Sequence, residues 1–252
     1  MEHGQQLNSV PAISWHRGGS ELEPSASRAA FVAALRHGAE IVEIDVRSTA
    51  DGELVCVHDE RLEELGVVAD LNFQELSSNQ QAQIYTLHEF VADLVLYDPL
   101  AKTTVHFDLK ERGHEVEAVD RLLEQHRPLF VTTLIDESVV LLRRERPAVP
   151  TYLTIGASTF GKSKFQSLRQ RIGELIPFRR IRASGANGIA IHYALARPRT
   201  LRWCAKRNLA VVVWTVDRSR DLSTWLLRDI AVLTTNRPLR ALELRAELSS
   251  EP

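Results

Sequence analysis

Glu43 and Asp45 stand two positions apart in the apolar run Ile41–Arg47, a spacing that puts both carboxylates on one face of an extended chain. Asp108 and Lys110 repeat that spacing within Thr103–Lys110, while His16-Arg17 and His58-Asp59 close two further apolar runs. A buried strand must pair or employ such groups, because a polar group left buried without a partner costs several kcal/mol. Three carboxylates on adjacent strands make a hard-oxygen donor set suited to Mg²⁺ or Ca²⁺. Zinc fits less well, since neither Cys56 nor Cys204 has ligand spacing. Arg17 would offer a phosphate a bidentate fork, and Lys110 a point charge. Acids, a divalent cation, proton-shuttling histidines and fixed cations together describe phosphodiester cleavage better than other common reactions.

Each group also has a bland reading. Glu43 could pair with Arg47 as an ordinary strand residue, His16-Arg17 could be a satisfied structural pair, and His58-Asp59 could cap a hairpin. Asp108 and Lys110 could form a local salt bridge. His106, Trp15 and His192 suit the core or a pocket wall as well as they suit chemistry. The functional reading gains weight because all four pairs fall at compatible places in the first half of one repeating pattern.

That pattern alternates strand and helix. Strand-like runs lie at Ala12–Arg17, Ile41–Arg47, Thr103–Lys110, Leu129–Ile135, Thr151–Ile155, Gly188–Tyr193, Ala210–Asp217 and Ala231–Thr235. Between them, apolar residues three and four apart predict helices at Ser25–His37, Thr86–Tyr97, His114–His126, Asp136–Arg146, about Ser163–Ile176, Pro198–Arg207, Ser219–Arg228 and Pro238–Leu248. Such alternation implies parallel strands joined by helical crossovers, and eight units make a (β/α)₈ TIM barrel, one domain over residues 1–252. Active-site groups then belong at the C-terminal strand ends, which adds His192, Trp214 and Thr215 as pocket-wall candidates. A ninth run, Leu54–His58, follows Asp51-Gly52 too closely for a crossover and should fold back as an antiparallel hairpin. A two-residue turn there would return His58 to a place opposite Asp45. Residues 60–83 are weakly patterned and should cover part of the barrel mouth. Gly156–Arg182 is rich in Lys, Arg and Phe, either a solvated helix or a basic rim that attracts anionic substrate.

Composition bounds the partners. The chain has 252 residues, 44 % hydrophobic and 25 % charged, with a formal charge of −2, so no electrostatic argument favours nucleic acid. Both cysteines lie in apolar runs and read as reduced core residues. Met1–Ser9 lacks the apolar stretch of a signal peptide, and no run approaches the ~18 residues of a membrane helix. The expected location is cytoplasmic; oligomeric state is left open.

These motifs resemble the glycerophosphodiester phosphodiesterases. His16-Arg17-Gly18-Gly19 is similar to that family's opening H-R-G, and Pro24 with Ala29-Ala30-Phe31 to its P-E-N-T-x-x-A-F segment. Gly38 through Val46 resembles the G-A-D-x-x-E-x-D-V signature, followed at family spacing by Asp51-Gly52 and His58-Asp59. Asp108-Leu109-Lys110, Trp214-Thr215-Val216-Asp217 and Thr234 to Pro238 resemble the later E-x-K, W-T-V-N and T-D-R-P motifs. The resemblance implies a TIM barrel that hydrolyses small-molecule phosphodiesters to glycerol 3-phosphate and an alcohol. His16 and His58 would be the acid/base pair, Glu43, Asp45 and Asp108 the metal ligands, and Arg17 and Lys110 the phosphate-binding cations. Three departures are visible: Pro24-Ser25-Ala26-Ser27 lacks the family's acid and amide, Asp108 replaces a glutamate, and Glu63-Glu64-Leu65-Gly66 replaces an Arg-Thr-Thr loop. Two alternatives stand beside this reading: phospholipase D-like cleavage of lysophospholipids with transient lipid contact, and a binding barrel without turnover.

Overall fold

The computed structural model describes residues 10–63, 65–78, 84–156 and 177–250. Its strands are β1 (Ala12–Trp15), β2 (Ile41–Ser48), β3 (Leu54–Val55), β4 (Arg61–Leu62), β5 (Gly66–Val67), β6 (Thr104–Leu109), β7 (Leu129–Thr133), β8 (Thr151–Ile155), β9 (Gly188–His192), β10 (Ala210–Trp214) and β11 (Val232–Thr235). The helices described are α1 (Arg28–Arg36), α2 (Phe73–Ser77), α3 (Leu87–Tyr97), α4 (Glu115–Leu123), α5 (Asp136–Glu145), α6 (Pro177–Ser184), α7 (Pro198–Ala205), α8 (Ser219–Leu226) and α9 (Pro238–Ser250). Eight strands run parallel in the order β1, β2, β6, β7, β8, β9, β10, β11, and β11 pairs back onto β1 to close a TIM barrel.

Local chemistry sets many of the helix ends. Ser27 Oγ accepts the Ala30 N–H at 3.1 Å at the start of α1. Thr86 and Glu89 exchange hydrogen bonds in a capping box at α3, and Asn72 and Glu75 do so at α2. Pro198 and Pro238 open α7 and α9, where the first turn needs no backbone N–H. Tertiary contacts then lock the helices to the barrel. Phe31 of α1, Phe90 of α3 and Tyr85 interlock with ring centroids 5.6–6.1 Å apart. Beside them Asp93 accepts two hydrogen bonds from Arg28, at 2.7 and 2.9 Å, and one from the Tyr85 hydroxyl at 2.7 Å.

Alternation along the strands creates two environments. Val42, Ile44 and Val46 face the helices in the main core, whereas Ile41, Phe130, Ala190, Val212 and Val232 pack together from strands alone as an apolar layer within the barrel. The register then stacks polar residues above that layer. Glu43 lies opposite His106, Asp45 opposite Asp108, and Asp108 opposite Thr132.

The hairpin after β2 is present, but its register differs from the sequence expectation. Arg47 pairs with Val55 and Ser48 with Leu54, one position away from the register that would set His58 opposite Asp45. The turn holds three residues, Ala50 to Gly52, closed by Thr49 N–H to the Glu53 carbonyl at 2.9 Å, with Gly52 in the left-handed region at φ +86°. The chain then leaves β2: Val55 bridges Thr86, and Cys56 N–H donates to the Tyr85 carbonyl at 2.7 Å. Residues 60–78 add the β4–β5 hairpin and α2, whose Val68 and Leu76 pack on Val55 in a small core of their own. The helix expected near Ser163–Ile176 and the basic and aromatic residues from Phe160 to Arg171 lie outside the described residues. Pro177–Ser184, overlapping the end of the stretch read as either a solvated helix or a basic rim, is the helix α6, and Phe178 packs on Trp203 at a centroid distance of 4.3 Å.

Candidate active site

β1 ends in a short turn, His16–Gly18, that bends the chain back over the strand ends. Arg17 occupies the left-handed region at φ +51°, a conformation costing roughly 1–2 kcal/mol for a residue with a side chain. Two hydrogen bonds hold it there. Its N–H donates to Glu43 Oε2 at 2.8 Å, and its carbonyl accepts the Ala26 N–H at 2.9 Å. The next residue must be glycine: Gly18 has φ +78°, and a Cβ there would lie 2.7 Å from the Ala30 carbonyl carbon. The departure at Pro24–Ser27 therefore has a structural use here, buttressing Arg17 through Ala26 and capping α1 through Ser27.

Glu43, Asp45 and Asp108 converge, each offering an oxygen within 4.8 Å of the other two. Glu43 and Asp45 are buried, and Asp108 is nearly so. Both predicted cations close on the cluster. Arg17 Nε lies 2.8 Å from Asp45 Oδ2, and Lys110 Nζ lies 2.7 Å from Asp45 Oδ1 and touches Asp108 Oδ2. The local salt bridge anticipated for Asp108 and Lys110 thus exists as part of this site. The alternative pairing of Glu43 with Arg47 does not form; Arg47 binds Glu111 at 2.6 Å.

Charge in this small volume is strained. Burial, reinforced by the Asp45 and Asp108 charges, pushes the Glu43 carboxyl well above the usual carboxylate range. Burial acts the same way on Asp45, but Lys110 and Arg17 outweigh it and hold that carboxyl low. Lys110 is likewise penalised by burial yet raised by Asp108 and Asp45. Asp45 Oδ1 sits at ion-pair distance from Lys110 but, by alignment, is a buried oxygen without a hydrogen bond. A buried acceptor with free lone pairs, among three oxygens that repel one another, fits a divalent cation.

The histidines are pinned differently. His16 Nδ1 lies 2.7 Å from Asn236 Oδ1, and Asn236 donates its side-chain N–H to Asp217 Oδ2 at 2.9 Å. Burial, then the Arg17 charge, lowers the His16 pKa below its ordinary 6.5. His58 sits in the loop beyond β3, placed by a 3.0 Å hydrogen bond from Arg47 Nε to its carbonyl. Its Nδ1 lies 2.7 Å from Asp59 Oδ1, and it stands close enough to Asp45 for its charge to lower that carboxyl. Among the described residues it makes no hydrogen bond to the three acids. His192 and Trp214 form a separate edge-to-face pair at 5.3 Å on β9 and β10, and no hydrogen bond or ion pair joins them to the acid cluster. Among the described residues, Trp214 Nε1, Thr154 Oγ1 and Thr234 Oγ1 are buried without hydrogen-bond partners.

Sequence reasoning missed Asn236, Asp217 and Thr132, and left His106 undecided. Asp217 and Asn236 stand in the segments that resemble the W-T-V-N and T-D-R-P motifs without a role of their own being read there, and the sequence signal of Thr132 and His106 is a place on a predicted strand. Inside, Ser14 Oγ lies 3.1 Å from His106 Nδ1, His106 Nε2 lies 3.0 Å from Thr132 Oγ1, and Thr132 Oγ1 donates to Asp108 Oδ1 at 2.7 Å. Burial brings the His106 pKa down to about 4.

Fold and site together define a class, the (β/α)₈ barrels with an acid cluster able to hold a divalent cation at the C-terminal strand ends. Within that class the chain belongs to the glycerophosphoryl diester phosphodiesterase family, whose sequence model matches residues 16–240. It is 23 % identical to a glycerophosphodiester phosphodiesterase of Caldanaerobacter subterraneus over 88 % of this chain and 93 % of that protein. It is 29 % identical to bovine glycerophosphodiester phosphodiesterase 1 over 63 % of this chain, a stretch spanning 54 % of that relative. A Mycobacterium tuberculosis relative is 49 % identical, over 24 % of this chain and 22 % of its own length. The fold is similar to a Parabacteroides distasonis glycerophosphodiester phosphodiesterase, with a TM-score of 0.79 at 17 % identity over 97 % of this chain and all of that one. It is also similar to an Oleispira antarctica phosphodiesterase solved with the product sn-glycerol-3-phosphate, with a TM-score of 0.71 at 20 % identity, covering 93 % and 96 %. No helix among the described residues is long and apolar enough to cross a membrane.

Proposed function

We propose that this chain hydrolyses glycerophosphodiesters to glycerol 3-phosphate and an alcohol. The observation that carries the reading is the triad of buried Glu43 and Asp45 and partly buried Asp108, locked against Arg17 and Lys110, with His16 beside it. Family membership and the relative solved with glycerol 3-phosphate support the substrate class. The three acids would hold Mg²⁺ or Ca²⁺, and a cation there would offset negative charge on the phosphoryl oxygens. Arg17 and Lys110 orient the phosphate.

The hydrogen bonds support one reading of the proton traffic. Asp217 accepts from the Asn236 amide, so Asn236 presents its carbonyl oxygen to His16 and takes the Nδ1–H. His16 Nε2 is then the ring nitrogen turned away from Asn236, and the lowered pKa favours its unprotonated form. It takes the proton from the substrate's own glycerol hydroxyl as that oxygen attacks phosphorus. The bond to the alcohol breaks, and His58 protonates the departing oxygen. Water then opens the cyclic phosphate, with His58 taking its proton and His16 returning one to the glycerol oxygen.

A panel of glycerophosphodiesters and lysophospholipids followed by phosphorus NMR tests this reading. Glycerol 3-phosphate should accumulate from the former, stop with EDTA and resume with Mg²⁺ or Ca²⁺. Cyclic phosphate as the final product would favour the phospholipase D-like alternative instead. No turnover of any substrate under any cation would leave a binding barrel.

A further inference from the structure

We propose that Thr132 and His106 are positioning residues for Asp108, holding its carboxylate in one orientation for the divalent cation. The inference rests on the reading of Asp108 as a cation ligand and extends it to a chain of side chains inside the barrel. Both Asp108 oxygens act as acceptors, Oδ2 from Lys110 and Oδ1 from the Thr132 hydroxyl. A hydroxyl has a single proton, so Thr132, donating to Asp108, accepts from the ring nitrogen 3.0 Å away, His106 Nε2. His106 therefore carries its proton on Nε2. Its bare Nδ1 accepts from the Ser14 hydroxyl at 3.1 Å. Every proton between Ser14 and Asp108 has one place, and the chain runs in one direction.

The surroundings leave this arrangement little freedom. Ser14, His106 and Thr132 are 0–4 % exposed, so water cannot substitute for a missing partner. The His106 ring stacks on Phe130 at 4.5 Å with 26° between planes, which holds the plane of the ring. Strand register puts Thr132 directly across from Asp108 and His106 across from both Glu43 and Phe130. Two donors, one on each oxygen, fix the rotation of the Asp108 carboxylate about its terminal bond. The lone pairs left over then point one way, which is what a small cation with strict ligand geometry requires.

Cation titration by calorimetry, without substrate, tests the proposal using Mn²⁺ and Mg²⁺ on wild type and variants. Thr132→Val removes the hydroxyl at nearly constant volume and should weaken binding about 10–100-fold, while Thr132→Ser should stay within about threefold of wild type. His106→Gln, which keeps a donor near the Nε2 position, should bind better than His106→Leu. Asp108→Asn is the reference. If it loses binding while Thr132→Val binds like wild type, the positioning role is wrong; if it binds like wild type, the ligand reading itself is wrong. A lowered melting temperature of cation-free Thr132→Val with unchanged affinity would mean a merely structural role and would also overturn the proposal. Nitrogen NMR of wild-type His106 gives a second, variant-free measure, decisive if the Val variant fails to fold. Expected is a proton on Nε2, donated to Thr132; a ring with Nε2 bare and its proton on Nδ1 alone overturns the chain.

Discussion

Both histidines share one geometry: an oxygen takes up Nδ1, Asn236 Oδ1 for His16 and Asp59 Oδ1 for His58, so Nε2 is the atom left for chemistry. Replacing either with alanine should lower kcat by ~10²–10⁴ while leaving the circular dichroism spectrum unchanged. The pH dependence follows from His16. Its pKa lies below the ordinary 6.5, so the base form persists into mildly acid solution, and kcat/KM should fall only as pH drops through that lowered value. An acid limb at or above the ordinary value would contradict the assignment. Glu43 gives a prediction of opposite character. A carboxyl raised in the folded state favours folding below its ordinary 4.5, and that advantage is lost as pH rises through the folded value. Above its ordinary value Glu43 therefore costs the cation-free protein stability. Glu43→Gln keeps an acceptor for Arg17 N–H and should raise the melting temperature in EDTA by about 2–4 °C, the shift that ~1 kcal/mol gives in a chain of this size, while removing the cation response.

At the scale of elements, the site depends on how few contacts deliver each loop. His58 arrives through Arg47 and the three-residue turn, with no ladder of its own beside Asp45. Arg17 arrives through the tight approach of Gly18 to α1, and α1 is clasped to α3 by Arg28, Tyr85 and Asp93. Burial disfavours the Asp93 charge, but the Arg28 and Tyr85 donors outweigh it and hold the carboxyl below the ordinary 3.8. Its contribution is thus complete above that pH and disappears as pH falls through the lower folded value. Asp93→Asn should cost about 1–3 kcal/mol at neutral pH in urea unfolding, moderated by the exposure of Arg28, and the difference from wild type should shrink in acid. A constant difference across pH would show that packing, not charge, carries the effect.

For the molecule as a whole, closure of β11 onto β1 is what makes a site. It brings Asn236 within reach of His16 across 220 positions of sequence, at the C-terminal ends of two neighbouring strands. The apolar layer below is built from strands alone, so the acids rest on a packed floor that water cannot readily enter. A cation that binds only the folded barrel then stabilises all of it. At a free concentration 100 times its Kd, Mg²⁺ or Ca²⁺ should add about 2.7 kcal/mol, read as a melting temperature that climbs with cation and falls back with EDTA. A melting temperature indifferent to every divalent cation would count against the ligand set.

The legible part of this protein was whatever repeats at short range. Alternation of runs predicted the barrel, and the two-residue spacing in Glu43-Ile44-Asp45 and Asp108-Leu109-Lys110 put ligand-type and phosphate-type groups on one strand face, because side-chain direction in a strand depends only on parity. Before β9 the helical reading of Gly156–Arg182 left the bounds open, and α6 begins only at Pro177, past the predicted Ser163–Ile176. Register and closure belong to the tertiary structure alone. One extra turn residue moved His58 out of the expected pairing, and nothing local to Thr132, Asp217 or Asn236 marks them as partners of Asp108 and His16. Hydrogen bonds between residues far apart in sequence exist only after distant strands have been set side by side, so sequence specifies which groups are available and the closed barrel decides which of them meet.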